Sequence, residues 1–133
     1  MFLTIANLLG PRDVARVQKK AAALDWLDGT RTAGGRARAV KRNLQADLRT
    51  GPGEGLHTFL MDAIVANPVL KAAAQPARFS RLMLSRTGPG QHYGPHVDNA
   101  HVGAGDERVR TDLSFTLFLS EPASYDGGEL VVE

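Results

Sequence analysis

Residues 109–120, VRTDLSFTLFLS, restrict the possible folds more than any other stretch of the chain. Successive side chains of an extended segment point to opposite sides. Val109, Leu113, Phe115, Leu117 and Leu119 therefore fall on one face, and Arg110, Asp112, Ser114 and Thr116 on the other. A strand with an apolar face cannot stand alone, because its backbone donors and acceptors need partners and its apolar side needs cover. The chain must therefore build a sheet. Residues 78–87, RFSRLMLSRT, alternate in the same way and read as a second strand. GPGQHYGP at 88–95 is a Gly/Pro-punctuated turn, and YDGGELVVE at 125–133 is a tight turn into a further strand. MFLTIANLLG at 1–10 reads as a first strand and turn, since it lacks the basic flank and small-residue cleavage site of a leader.

The first half has a different period. In GPRDVARVQKKAAALDWLDG, residues 10–29, Val14, Val17, Ala21 and Leu24 share one helical face, Pro11 suits the first helical position, and Asp13 suits its positive end. The spacing predicts one helix that runs to Asp28-Gly29. GEGLHTFLMDAIVANP, residues 53–68, is a second helix with Leu56, Phe59, Leu60, Ala63 and Ile64 as its buried stripe, broken at Asn67-Pro68. VLKAAA at 69–74 allows a short third helix. Helices first and strands afterwards indicate an α+β fold in a single domain. Residues 1–76 are the mainly helical support and residues 77–133 the strand region.

No apolar run approaches the length of a membrane span, and we expect a cytoplasmic protein. The absence of cysteine excludes disulfides and thiolate metal sites, so any metal here is held by nitrogen and oxygen. A formal net charge of +2 is too mild to argue for nucleic acid. The charge is uneven, though: between Asp28 and Asp47 lie Arg31, Arg36, Arg38, Lys41 and Arg42 without one acid. A solvated loop is the plain expectation. The sharper alternative is a surface that attracts an anionic substrate. No aromatic residue lies among these charges to stack on bases, which makes nucleic acid an unlikely partner.

Of the four histidines, three fall in residues 92–101, HYGPHVDNAH. In an extended HVD segment the His96 imidazole and the Asp98 carboxylate lie side by side, with Val97 turned into the packing. That pair could supply two of the donors of a 2-His-1-carboxylate facial triad, which leaves adjacent positions open on iron. His92 and His96 have the helical spacing of a metal pair, but Gly94 and Pro95 between them oppose a helix. His101 is a weaker candidate ligand beyond Asn99-Ala100, and His57 is read as surface or packing.

RTGPGQHYGPHVDNA, then RVRTDLSFTLFLSEPASYDGGELVVE, resembles the Fe(II)/2-oxoglutarate-dependent dioxygenases, and among them the PKHD-type bacterial hydroxylases related to prolyl 4-hydroxylase. Gly90, Tyr93, His96 and Asp98, the strand from Arg110 to Leu119 and the turn from Tyr125 to Leu130 carry the resemblance. It implies N-terminal helices packed on a double-stranded β-helix, or jelly-roll, core, of which this chain holds part. It implies iron on His96, Asp98 and a further histidine downstream, with 2-oxoglutarate as co-substrate, its far carboxylate paired to a downstream arginine, and ascorbate as a further ligand. Thr87 stands where relatives usually carry tyrosine near the co-substrate pocket, and Arg42 where they often carry asparagine.

The implied reaction is hydroxylation of a small-molecule or peptide substrate coupled to decarboxylation of 2-oxoglutarate. Tyr93 and Ser114 are candidates to line the cofactor pocket, and Asn99 and Asp112 to orient the ligands. For Asp112 an ion pair with Arg108 or Arg110 is an equal expectation, and for Tyr93 a packed aromatic. The chain stops within a strand, at ELVVE, so we expect the front part of a longer protein, inactive or nearly so by itself, with an exposed edge able to pair two copies. The competing readings are a cupin-like metal enzyme, a non-catalytic β-module, and a nucleic-acid repair oxygenase.

Overall fold

The structure, a computed structural model, describes residues 2–132. Among the described residues three α-helices, α1 (Pro11–Ala22), α2 (Gly51–Ala66) and α3 (Pro68–Ala74), accompany seven short strands and four short 3-10 turns. These are β1 (Trp26–Asp28), β2 (Lys41–Arg42), β3 (Leu44–Ala46), β4 (Ser85–Arg86), β5 (His92–Tyr93), β6 (His101–Val102) and β7 (Val109–Arg110). The architecture is α+β, with antiparallel sheets in the orders β1-β3-β4, β2-β5 and β6-β7. Among the described residues no helix is long and apolar enough to cross a membrane.

The core lies where α1 and α2 pack on the larger sheet. Val17 and Ala21 of α1 meet Leu56 and Leu60 of α2, with Leu9, Leu48 and Leu84 completing the cluster. Burying a side chain of this size stabilises a fold by about 1.5–3 kcal/mol. The first turn of α2 runs close against the 47–48 backbone, where a Cβ on Gly53 would sit 2.0 Å from the Asp47 carbonyl oxygen; glycine alone allows that approach. Asn67 caps α3, its Oδ1 accepting from Leu70 N–H at 2.9 Å.

Helix α1 ends at Ala22, short of the expected boundary at Asp28-Gly29. Leu24 lies against the core as the helical spacing predicts. The indole of Trp26, however, donates to the Ala21 carbonyl at 3.0 Å, an acceptor it shares with Leu24 N–H at 3.1 Å, and the chain turns into strand, with Trp26 opposite Ala46. The Arg86 guanidinium covers the Trp26 ring at 3.9 Å.

The strand expectations hold only locally. Of residues 78–87, only Ser85–Arg86 pair, and of residues 109–120, only Val109–Arg110. Residues 2–10 and 125–132 contain no strand. Alternation gives a segment two faces, but a strand exists only where a neighbour takes its hydrogen bonds; Thr111 N–H still reaches the Ala100 carbonyl at 3.0 Å, and beyond it, among the described residues, no backbone neighbour bonds 112–120. Leu113 and Phe115 are exposed, whereas Leu117 and Leu119 reach the helical core. Gln18 of α1 donates to the Leu119 carbonyl at 2.5 Å. Among the described residues the sheets are small and do not close into a β-helix.

The run from Lys41 to Ala46 positions the site. Its first half pairs with β5, setting Lys41 opposite Tyr93 and Arg42 opposite His92. Its second half joins the larger sheet, setting Leu44 opposite Arg86 and Gln45 opposite Ser85. Lys41, Asn43 and Gln45 all point inward and are buried.

Candidate metal site

His96 and Asp98 lie in the segment between β5 and β6, outside any strand. Their side chains converge as the H-x-D spacing predicts: His96 Nε2 is 3.4 Å from Asp98 Oδ1. The imidazole is fixed from behind, its Nδ1 lying 2.7 Å from the Gly94 carbonyl. A carbonyl only accepts, so Nδ1 is the donor of this contact and Nε2 is the ring nitrogen left on the side of Asp98. The Gly94 peptide is itself anchored, its N–H donating to the Val40 carbonyl at 2.8 Å. A ligand histidine held by a backbone carbonyl is the usual arrangement at metal sites.

The pair fits an octahedral ion. Bonds of roughly 2.1 Å at right angles put neighbouring donors about 3 Å apart, so a closure of a few tenths of an ångström suffices. One imidazole nitrogen and one carboxylate oxygen are donors suited to iron. Among the described residues no group of three His, Asp or Glu side chains comes together. His92 and His101 sit in strands, opposite Arg42 and Arg110 respectively, and join no such group.

Tyr93 supports the histidine. Its ring stacks on the His96 imidazole, centroids 3.7 Å apart and planes 11° from parallel. The Lys41 ammonium lies 4.9 Å from the centroid of the Tyr93 ring. Partial burial, and secondly the charge of Asp98, hold the Tyr93 hydroxyl above its ordinary pKa, so it stays a neutral donor at physiological pH.

Several expected placements change. Val97 is 89% exposed rather than packed, because nothing among the described residues covers that side of the segment. Asp112 does not reach the site: it holds Arg110 in a two-pronged pair at 2.8 and 3.1 Å, which raises the Arg110 pKa further. Asn99 meets the residue after β7 through its backbone, its carbonyl accepting from the Thr111 hydroxyl. Ser114 and Thr87 are exposed. His57 is a packing residue, its Nε2 accepting from Leu82 N–H at 3.3 Å.

The basic stretch divides. Arg31, Arg36, Arg38 and Arg42 are exposed as expected, but Lys41 is not part of a solvated loop. It is 4% exposed, and burial lowers its pKa. Lys41, Asn43 and Gln45 are the residues that pattern reading passed over. Their period-two polarity was visible, but polarity at that spacing reads as an outward face.

Residues 82–133 match the 2OG-Fe(II) oxygenase superfamily. Over 132 residues, 99% of this chain, the sequence is 48% identical to a PKHD-type hydroxylase of Hyphomonas neptunium, covering 59% of that protein. It is 43% identical over 133 residues to a PKHD-type hydroxylase of Synechococcus elongatus, covering 100% of this chain and 60% of the relative. A PKHD-type hydroxylase of a Janthinobacterium species is 40% identical over 134 residues, covering 99% of this chain and 59% of the relative. The chain thus spans about three fifths of the length of the curated relatives it matches.

Proposed function

We propose that this chain, a member of the 2OG-Fe(II) oxygenase superfamily, supplies His96 and Asp98 as iron ligands to a 2-oxoglutarate-dependent hydroxylase. The observation that carries the reading is the His96–Asp98 pair, 3.4 Å apart, with the imidazole turned by the Gly94 carbonyl so that Nε2 faces the carboxylate. When bound, iron with 2-oxoglutarate and oxygen supplies the oxidation that hydroxylates the substrate and releases succinate and carbon dioxide. The protein's part is to hold, orient and shield. His96 would give a ring nitrogen, and Asp98 a carboxylate oxygen that would offset the metal's charge. Tyr93 keeps the imidazole plane fixed and presents a neutral hydroxyl toward the field of Asp98. A third donor joins His96 and Asp98 from outside the described residues, and the strands belong to a double-stranded β-helix core in one domain. The substrate is a small molecule or a peptide.

The test is anaerobic titration with Fe(II), then with 2-oxoglutarate, followed by absorption. Wild type should develop a band that needs both additions, and His96→Ala and Asp98→Ala should not. If the double variant binds iron and develops the band as wild type does, the assignment fails.

A further inference from the structure

Lys41 is a buried cation without a counter-ion. It is 4% exposed, and among the described residues no carboxylate forms an ion pair with it. Its ammonium has three N–H donors. One goes to Thr32 Oγ1 at 3.0 Å, and the Tyr93 ring lies 4.9 Å away. Thr32 is oriented in turn. Its single hydroxyl proton goes to Gln45 Oε1 at 2.5 Å, which leaves an oxygen lone pair for Lys41, and Gln45 Nε2 donates to Ser85 Oγ at 3.3 Å. A relay that begins in the neighbouring sheet thus holds the ammonium against the ring that stacks on His96. Burying a charge is unfavourable unless an opposite charge meets it. Exposed Arg36, Arg38 and Arg42 need no such partner, because water solvates them and they act only as a long-range attraction for anions.

We propose that Lys41 anchors a carboxylate of a ligand seated against Tyr93, beside His96 and Asp98. The inference rests on the metal-site reading above. The two remaining N–H donors of the ammonium match the two oxygens of a carboxylate. Two sources carry that group, the co-substrate and the hydroxylated substrate.

The test uses the chain itself, with succinate and 2-oxoglutarate as probes and sodium chloride as the ionic-strength control. Wild type should gain thermal stability with the dicarboxylates beyond the chloride effect. Lys41→Met should weaken that response about tenfold or more, while being no less stable than wild type in carboxylate-free buffer. An unchanged response in Lys41→Met, or no response beyond chloride in wild type, overturns the proposal. Should Lys41→Met fail to fold, the Lys41 15Nζ resonance of wild type decides. A shift on adding succinate that chloride does not produce supports the anchor, and no shift refutes it.

Co(II) absorption separates the two readings. Uptake equal in His96→Ala and wild type sinks the metal site while leaving the carboxylate response to be judged on its own. With Co(II) bound, a 2-oxoglutarate-specific spectral change that Lys41→Met removes assigns the carboxylate to the co-substrate. A change that survives in Lys41→Met, alongside a lost succinate response, assigns it to the hydroxylated substrate.

Discussion

The Tyr93 ring and the His96 imidazole lie nearly parallel, 3.7 Å apart between centroids. Tyr93 is held from its own strand by pairing with Lys41, so the stack ties a segment outside any strand to a paired one. Stacked aromatic pairs contribute roughly 0.5–1.5 kcal/mol beyond their burial. Tyr93→Ala should therefore weaken Co(II) or Fe(II) binding by up to about tenfold, and Tyr93→Phe should leave it nearly unchanged. Metal titration of the three proteins checks this; equal loss in both variants would shift the role from the ring to the hydroxyl.

Leu56 is 1% exposed at the junction of α1 and α2. Leu56→Ala should cost about 2–5 kcal/mol of stability, read as a lower urea midpoint with unchanged slope.

Two glycines should respond in opposite directions. A Cβ at Gly29 would meet Asn43 Oδ1 at 1.8 Å, whereas one at Gly55, inside α2, meets nothing within 4 Å. Gly29→Ala should lower the melting temperature by displacing the buried Asn43 side chain. Gly55→Ala should stabilise by about 0.5–1 kcal/mol through helix propensity. Thermal unfolding of both variants decides.

His57 is held neutral below its ordinary pKa, first by burial and then by Arg81, with Glu54 opposing. A group whose folded pKa is depressed and whose neutral form is favoured by folding takes up protons more readily when unfolded. Stability should therefore be full above about pH 6.5 and fall as the pH drops from there toward the folded pKa. Urea midpoints at pH 7.5 and 5.5 should differ less in His57→Gln than in wild type.

The helices were legible because their apolar spacing needs no distant partner. Val17, Leu56, Leu60 and Ile64 are buried as their periodicity predicts. The end of α1 was not legible, since it depends on the Trp26 indole reaching back to Ala21 and on pairing with Ala46. The strand at 109–120 failed for the same reason: alternation states which faces a segment would have but not whether a neighbour binds it. At the site, the two-residue spacing foretold the convergence of His96 and Asp98, but not that the opposite side, where Val97 stands, is left uncovered. Lys41 was hidden because an inward polar row and an outward one share the same alternating pattern.

That inward row has a consequence for how the chain finds its register. Residues 41–46 are read twice, by β5 at one end and by β1 and β4 at the other. A slip by one position would turn Lys41, Asn43 and Gln45 out to water and drive Arg42 inside, and it would have to occur against both neighbours at once. The two sheets proofread each other, so the ammonium beneath Tyr93 is aligned by the same event that closes the interior.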